Sequence, residues 1–250
     1  MILGNTIKEY LTDIKVSISF GMLLVFVILL SFFGNLYIST GSVLIEYGGT
    51  DTIFTLIGEL IALIVFLIAY SFFITLIIFS IRKRLSNFKI DLYWKETINK
   101  FTTKIFLFYL IIALISLGIG TILTTLGAYW LTPIVLAVIT IPLLFVPQSI
   151  VIDEEGLVYG ILNNLDYVKK NKINLIYVMG IGIILITGIA IIEWTIDLFT
   201  PLGGFIGLVI TMTLVLPLIE TMKTYMYLFK YSLVKSPTEF HYNMDKKNKR

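Results

Sequence analysis

Five long runs free of Asp, Glu, Lys, Arg and His set the pattern of this chain: 16–45, 60–81, 105–152, 173–192 and 198–219. Crossing a hydrocarbon core of about 30 Å as a helix takes roughly 20 apolar residues, so four of the runs hold one span each. The run 105–152 has room for two and is divided by GAYWLTP, Gly127 to Pro133. No run shows the period-two alternation of a membrane barrel strand. The expected fold class is therefore all-α integral membrane, with six transmembrane helices at about 17–38, 58–81, 104–126, 132–151, 173–194 and 201–222. They form one domain over 1–235, followed by a basic tail, 236–250, expected to be disordered. Lys8 and Lys15 ahead of the first run resemble the start of a signal peptide, but the run is too long and no A-x-A-like site follows, so a retained first span is expected.

One polar stretch interrupts this pattern, VIDEEGLVYGILNNLDYVKKNKIN, Val151 to Asn174. Read as a helix, Leu157, Ile161, Leu165 and Val168 fall on one stripe, widened by Val158 and Leu162. Asp153 is the expected N-cap, Glu154 and Glu155 suit the positive end, and Lys169 and Lys170 suit the other. The result is an amphipathic interfacial helix, too polar to span. The same spacing occurs at Leu3, Ile7, Leu11 and Ile14 before span one, and at Ile90, Trp94, Ile98 and Phe101 before span three. Three helix-hairpin repeats are one explanation, and chance agreement of the registers is the other.

Charge orients the scheme. All 19 Lys and Arg fall on the side of the termini, whereas the opposite loops carry only Glu46, Asp51, Glu59, Glu193 and Asp197. The formal net charge of +3 thus conceals about +8 on one face and −5 on the other. The positive-inside rule places both termini in the cytoplasm of a cell membrane. Anionic lipid headgroups are the expected partners of the basic face, at about 1 kcal/mol per basic residue, and a nucleic acid is disfavoured. The 58% hydrophobic and 14% charged composition agrees, since a soluble domain carries about 25% charged residues.

Spans four and six share further marks. LTP at Leu131 to Pro133 and FTP at Phe199 to Pro201 predict helix starts with Thr as N-cap and Pro at the first helical position. Pro147 and Pro217 predict kinks nearer the other end of each span. Ser116 with Gly120, and Gly203 with Gly207, have small-xxx-small spacing, and Gly180 with Gly182 adds another small patch; ordinary helix packing is the favoured role.

Chemistry is sparse. There is no cysteine and the single histidine, His241, lies in the tail. Metalloprotease, P-loop and dinucleotide signatures are absent, so no enzyme activity, cofactor or metal site is expected. Glu193 and Asp197 share a helix face and could bind a divalent cation, but two solvated acids at the boundary are the favoured reading. Glu220 is placed at the end of span six with Lys223 as its i, i+3 partner, so no carboxylate need lie near the midplane, which weighs against ion-coupled transport.

The stretch Pro147 to Val178, through Pro147, Glu155, Gly156, Leu165 and Asn171, resembles a group of six-span proteins that includes the membrane domain attached to some glycerophosphodiester phosphodiesterases. This chain departs from the group's pattern at Gly160, Ile161 and Asn164. The resemblance implies a membrane scaffold without catalytic residues of its own. The expected function is a non-catalytic scaffold organising lipids or partner proteins. Lipid or partner contact falls to Leu157, Ile161, Leu165, Val168, Lys169 and Lys170, and the alternative is a small permease or exporter for an amphipathic or apolar solute.

Overall fold

A computed structural model describes residues 2–12, 14–31, 35–46, 53–85 and 94–231. The chain is an all-α integral membrane protein. Among the described residues five segments are long and apolar enough to cross a membrane: Ile57–Lys83, Lys100–Thr125, Tyr129–Ile152, Lys172–Asp197 and Gly203–Leu228. The bent pair Leu3–Thr12 and Ile14–Leu29, meeting at 76°, makes a sixth if counted as one span.

The chain opens with α1 (Ile2–Thr12), α2 (Ile14–Ser19), a 3-10 turn and α3 (Leu23–Ser31). Strands β1 (Asn35–Ser39) and β2 (Ser42–Glu46) form an antiparallel hairpin, Ser39 opposite Ser42. Then come α4 (Ile53–Leu85) and α5 (Trp94–Thr125). Span four is split into α6 (Thr132–Thr140) and α7 (Val146–Ile152), followed by the non-spanning α8 (Leu157–Lys170). Next are α9 (Lys172–Asp197), α10 (Gly203–Ile210), a π-helical turn at Thr211–Val215, and α11 (Leu216–Leu228).

Two span boundaries differ from expectation. In the expected span 17–38, α3 stops at Ser31, and residues 35–38 belong to strand β1 of the hairpin. Its turn, Thr40 at φ 48° and Gly41 at φ 71°, has the two positive φ values of a tight two-residue hairpin loop. Pairing within the hairpin satisfies the backbone groups that face the partner strand. Span six, expected to end near 222, continues to Leu228, because residues 220 to 228 are all buried.

Helix α11 lies at the centre, against α1, α4, α7 and α9. Core side chains include Phe20, Phe73, Ile77, Phe145, Ile150 and Tyr227. The spans Lys100–Thr125 and Lys172–Asp197 are only 11% buried, against 44% for Gly203–Leu228. Their outward Leu and Ile face lipid, where an apolar surface carries no penalty. Gly203 and Gly207 are packing positions: a Cβ on Gly207 would meet Ile189 of α9 at 3.1 Å, and one on Gly204 would meet the Ile38 carbonyl of β1 at 2.5 Å. Among the described residues, a Cβ on Gly120, Gly180 or Gly182 would meet no other part of the fold within 4 Å.

The two ends of the bundle differ in charge among the described residues. Arg82, Lys104 and Lys230 gather around residues 153–155 at a basic end, whereas Glu193 and Asp197 lie by the hairpin tip at an acidic end.

Candidate functional site

The acidic turn between α7 and α8 is a junction of three spans, not a helix start. Asp153 closes α7, and the N-cap of α8 is Gly156, without a side-chain cap. Asp153 Oδ2 accepts from the Tyr227 hydroxyl at 2.7 Å and from Lys230 Nζ at 3.1 Å. Glu154, at φ 58°, accepts from Arg82 Nη2 of α4 at 2.7 Å, and the Glu155 carbonyl accepts from Lys104 Nζ of α5 at 2.8 Å. The expected capping role of Asp153 yields to these cations because Gly156 and the turn move the start of α8 to Leu157.

The stripe predicted on α8 is divided. Leu157, Ile161, Leu165 and Val168 are half-buried, and all but Leu165 pack on the core. The most buried edge is instead Gly160, Asn164 and Tyr167, one residue or about 100° around the helix, so that Val158 (66% exposed) and Leu162 (52% exposed) face outward beside exposed Lys169 and Lys170. A Cβ on Gly160 would meet Ile150 at 2.7 Å, so glycine lets α8 cross α7 closely. Tyr167 donates to the Met226 carbonyl at 3.0 Å, and burial pushes its hydroxyl up to about 12 despite a bond from Asn174 that lowers it. Leu3, Ile7 and Leu11 on α1 and Ile14 at the start of α2 are exposed, and Asn5 Nδ2 donates to the Tyr225 hydroxyl at 3.0 Å. Of the third stripe Ile90 lies outside the described residues, and Phe101 is buried.

Pro147 and Pro217 follow real interruptions. Span four leaves α6 through a 3-10 turn at Ile141–Leu143 and resumes at Val146. Asn164 closes this gap from α8: its Nδ2 donates to the Pro142 carbonyl at 2.7 Å and its Oδ1 accepts from the Phe145 amide at 3.1 Å. In span six, Pro217 has no N–H for the Thr213 carbonyl four residues earlier. The Tyr10 hydroxyl donates to that carbonyl at 3.1 Å. A π turn next to a proline often marks a functional site.

Between the two interrupted spans and α4 and α5 lies a cavity of about 270 Å³. Tyr70, Ile112, Thr140 and Leu216 on its wall fall at the centres of the spans Ile57–Lys83, Lys100–Thr125, Tyr129–Ile152 and Gly203–Leu228. These wall residues are half-buried, whereas Phe108, Pro147, Glu220 and Lys223 at the floor are buried. The cavity is therefore apolar at mid-depth and charged one to two helical turns toward the basic end. The Tyr70 and Tyr109 rings meet edge to face at 5.0 Å on the wall.

The floor is a neutral ion pair. Lys223 Nζ donates to Glu220 Oε1 at 2.6 Å, with side chains 4% and 5% exposed. Gln148 Nε2 donates to Glu220 Oε2 at 2.8 Å, and the buried Gln148 Oε1 has no hydrogen-bond partner among the described residues. The pairing of Glu220 with Lys223 is as the spacing implied, but its depth is not. With α11 running eight residues past Glu220, the carboxylate sits inside the span, and mutual neutralisation makes that depth tolerable. The argument against ion coupling from missing intramembrane carboxylates therefore falls.

Neither Thr132 nor Thr200 caps a helix: Thr132 is the first residue of α6 after the N-cap Leu131, and Asp197 Oδ1 accepts from Gly203, the first amide of α10, at 2.9 Å. Glu193 Oε2 accepts from the Thr40 amide at the hairpin tip. Both acids at the expected boundary thus bind backbone, and no group of three possible metal ligands occurs among the described residues. Comparison with family models, curated proteins and solved structures finds no match to this chain.

Proposed function

We propose that this multi-pass membrane protein is a permease for a small amphipathic solute, bound in the cavity at mid-membrane. The observation that carries the reading is the placement of that cavity between two interrupted spans, with an ion pair at its floor. Membrane transporters commonly bind their substrates near the midplane between discontinuous helices, since broken backbone is tolerated where it lines a cavity. The wall accepts an alkyl or aromatic body, and the floor a polar head. No covalent chemistry is required of the chain. The basic end faces the cytoplasm of the cell membrane. Anionic headgroups meet Lys169 and Lys170 there.

Uptake by vesicles of the purified protein tests this reading, using radiolabelled hexanesulfonate, hexyltrimethylammonium and hexyl glucoside, one probe for each head charge. At least one is expected to enter faster than in protein-free vesicles. Equal rates for all three would remove the proposal. The exposed Val158 and Leu162 beside Lys169 favour a second role for α8, lying on the membrane surface as a lipid contact.

A further inference from the structure

We propose that the cavity carries a monoanionic amphipathic solute together with one proton, the anion bound by Lys223 and the proton by Glu220; this rests on the permease reading. The argument begins with charge balance. Glu220 and Lys223 are the only charged side chains lining the cavity among the described residues, and together they are neutral. An anion entering this apolar space would leave one uncompensated negative charge, which is costly at mid-depth. Protonation of Glu220 removes that excess and leaves Lys223 paired with the solute.

Donor and acceptor capacity points the same way. An ammonium has three N–H donors, and Lys223 uses one, on Glu220. Two donors remain for an oxyanion. Both Glu220 oxygens already accept, Oε1 from Lys223 and Oε2 from Gln148. A cation at the floor would have to share carboxylate oxygens that each already accept one bond, and it would add an uncompensated positive charge beside Lys223.

The protonated state also has a partner waiting. Once Oε2 carries a proton it becomes a donor and needs an acceptor. Gln148 Oε1, buried and without a hydrogen bond, belongs to the side chain already at 2.8 Å from Oε2. Turning over that carboxamide exchanges its donor for its acceptor without moving a helix. The other titratable groups facing the pair are the hydroxyls of Tyr70 from α4 and Tyr109 from α5. Helix α7 contributes Gln148 and no charge, and neither α1 nor α9 lines the cavity. In the cycle one proton from the aqueous phase binds Oε2 and one anion binds Nζ. Both leave on the other side, and no net charge moves.

Vesicles of the native protein loaded with a pH-sensitive dye test the coupling. External hexanesulfonate, ionised at every working pH, is expected to acidify the interior by one proton per sulfonate taken up, at a rate unaffected by an imposed membrane potential. Glu220→Gln is expected to lose the proton signal, and whatever sulfonate uptake it retains is expected to depend on the imposed membrane potential. Lys223→Met should lose about tenfold or more of the native sulfonate uptake while retaining hexyl glucoside. Sulfonate entry without acidification, or uptake of only the neutral or cationic probe, overturns the inference and leaves the permease reading standing. No uptake of any probe removes both.

Discussion

The carboxamide of Asn164 donates to the carbonyl of Pro142 at 2.7 Å, closing from α8 a gap in the membrane span beside it. The same side chain accepts from the Phe145 amide, so one buried residue satisfies two of the backbone groups released where α6 gives way to α7. Asn164→Leu leaves both unpaired, at about 1–3 kcal/mol each. The thermal midpoint in detergent is expected to fall by several degrees. An unchanged midpoint for Asn164→Leu would show that the gap is not held from α8.

Tyr10→Phe removes the donor to the Thr213 carbonyl. A single hydrogen bond contributes about 1 kcal/mol, so global stability should change little. Backbone hydrogen exchange at Thr211–Val215 should accelerate, because the π turn loses a tie to α1. Exchange that stays as slow as in the native chain would refute that link.

The Tyr167 hydroxyl, pushed up to about 12 by burial, carries a sign in pH. Its ordinary value is about 10, so the unfolded chain releases this proton first as pH rises. The stability contributed by the neutral hydroxyl is complete below about pH 10 and is lost as pH rises through 12. Denaturation between those limits should be steeper for the native chain than for Tyr167→Phe. Identical alkaline profiles would contradict the assignment.

Much of the fold is legible in the sequence because charge-free runs of span length have few alternatives to helices in a membrane. The interruptions near Pro147 and Pro217 are legible for the same local reason, a missing amide proton. What was not legible depends on contacts distant in sequence. Nothing local shows that Asn164 serves Pro142, or that Asp153 serves Tyr227 and Lys230 in place of capping α8. The hairpin had a signal, Thr40 and Gly41 between Leu36-Tyr37-Ile38 and Val43-Leu44-Ile45, but the apolar run concealed it. The charge-free run stops at Ile219, which puts Glu220 at the end of span six, whereas a carboxylate paired with a lysine can lie inside a span. Gly160 and Asn164 are among the residues by which α8 grips span four, and no local pattern marks them for that role.

Orientation is open to a direct labelling experiment, since the chain has no cysteine. An impermeant maleimide should label Thr200→Cys, exposed at the acidic end, in intact cells. Lys169→Cys, exposed at the basic end, should react only after permeabilisation. The opposite pattern would place the basic end outside.

The central claim is that solute passes through the mid-membrane cavity. Leu216→Trp puts an indole into that space from a half-buried wall position at the start of α11, while Glu220, Lys223 and Pro217 keep their own side chains. The measurement is hexyl probe uptake by vesicles of this variant and of the native protein, with matched protein content and thermal midpoints. The account predicts that uptake falls to the protein-free rate, and native rates through a folded Leu216→Trp protein would contradict it.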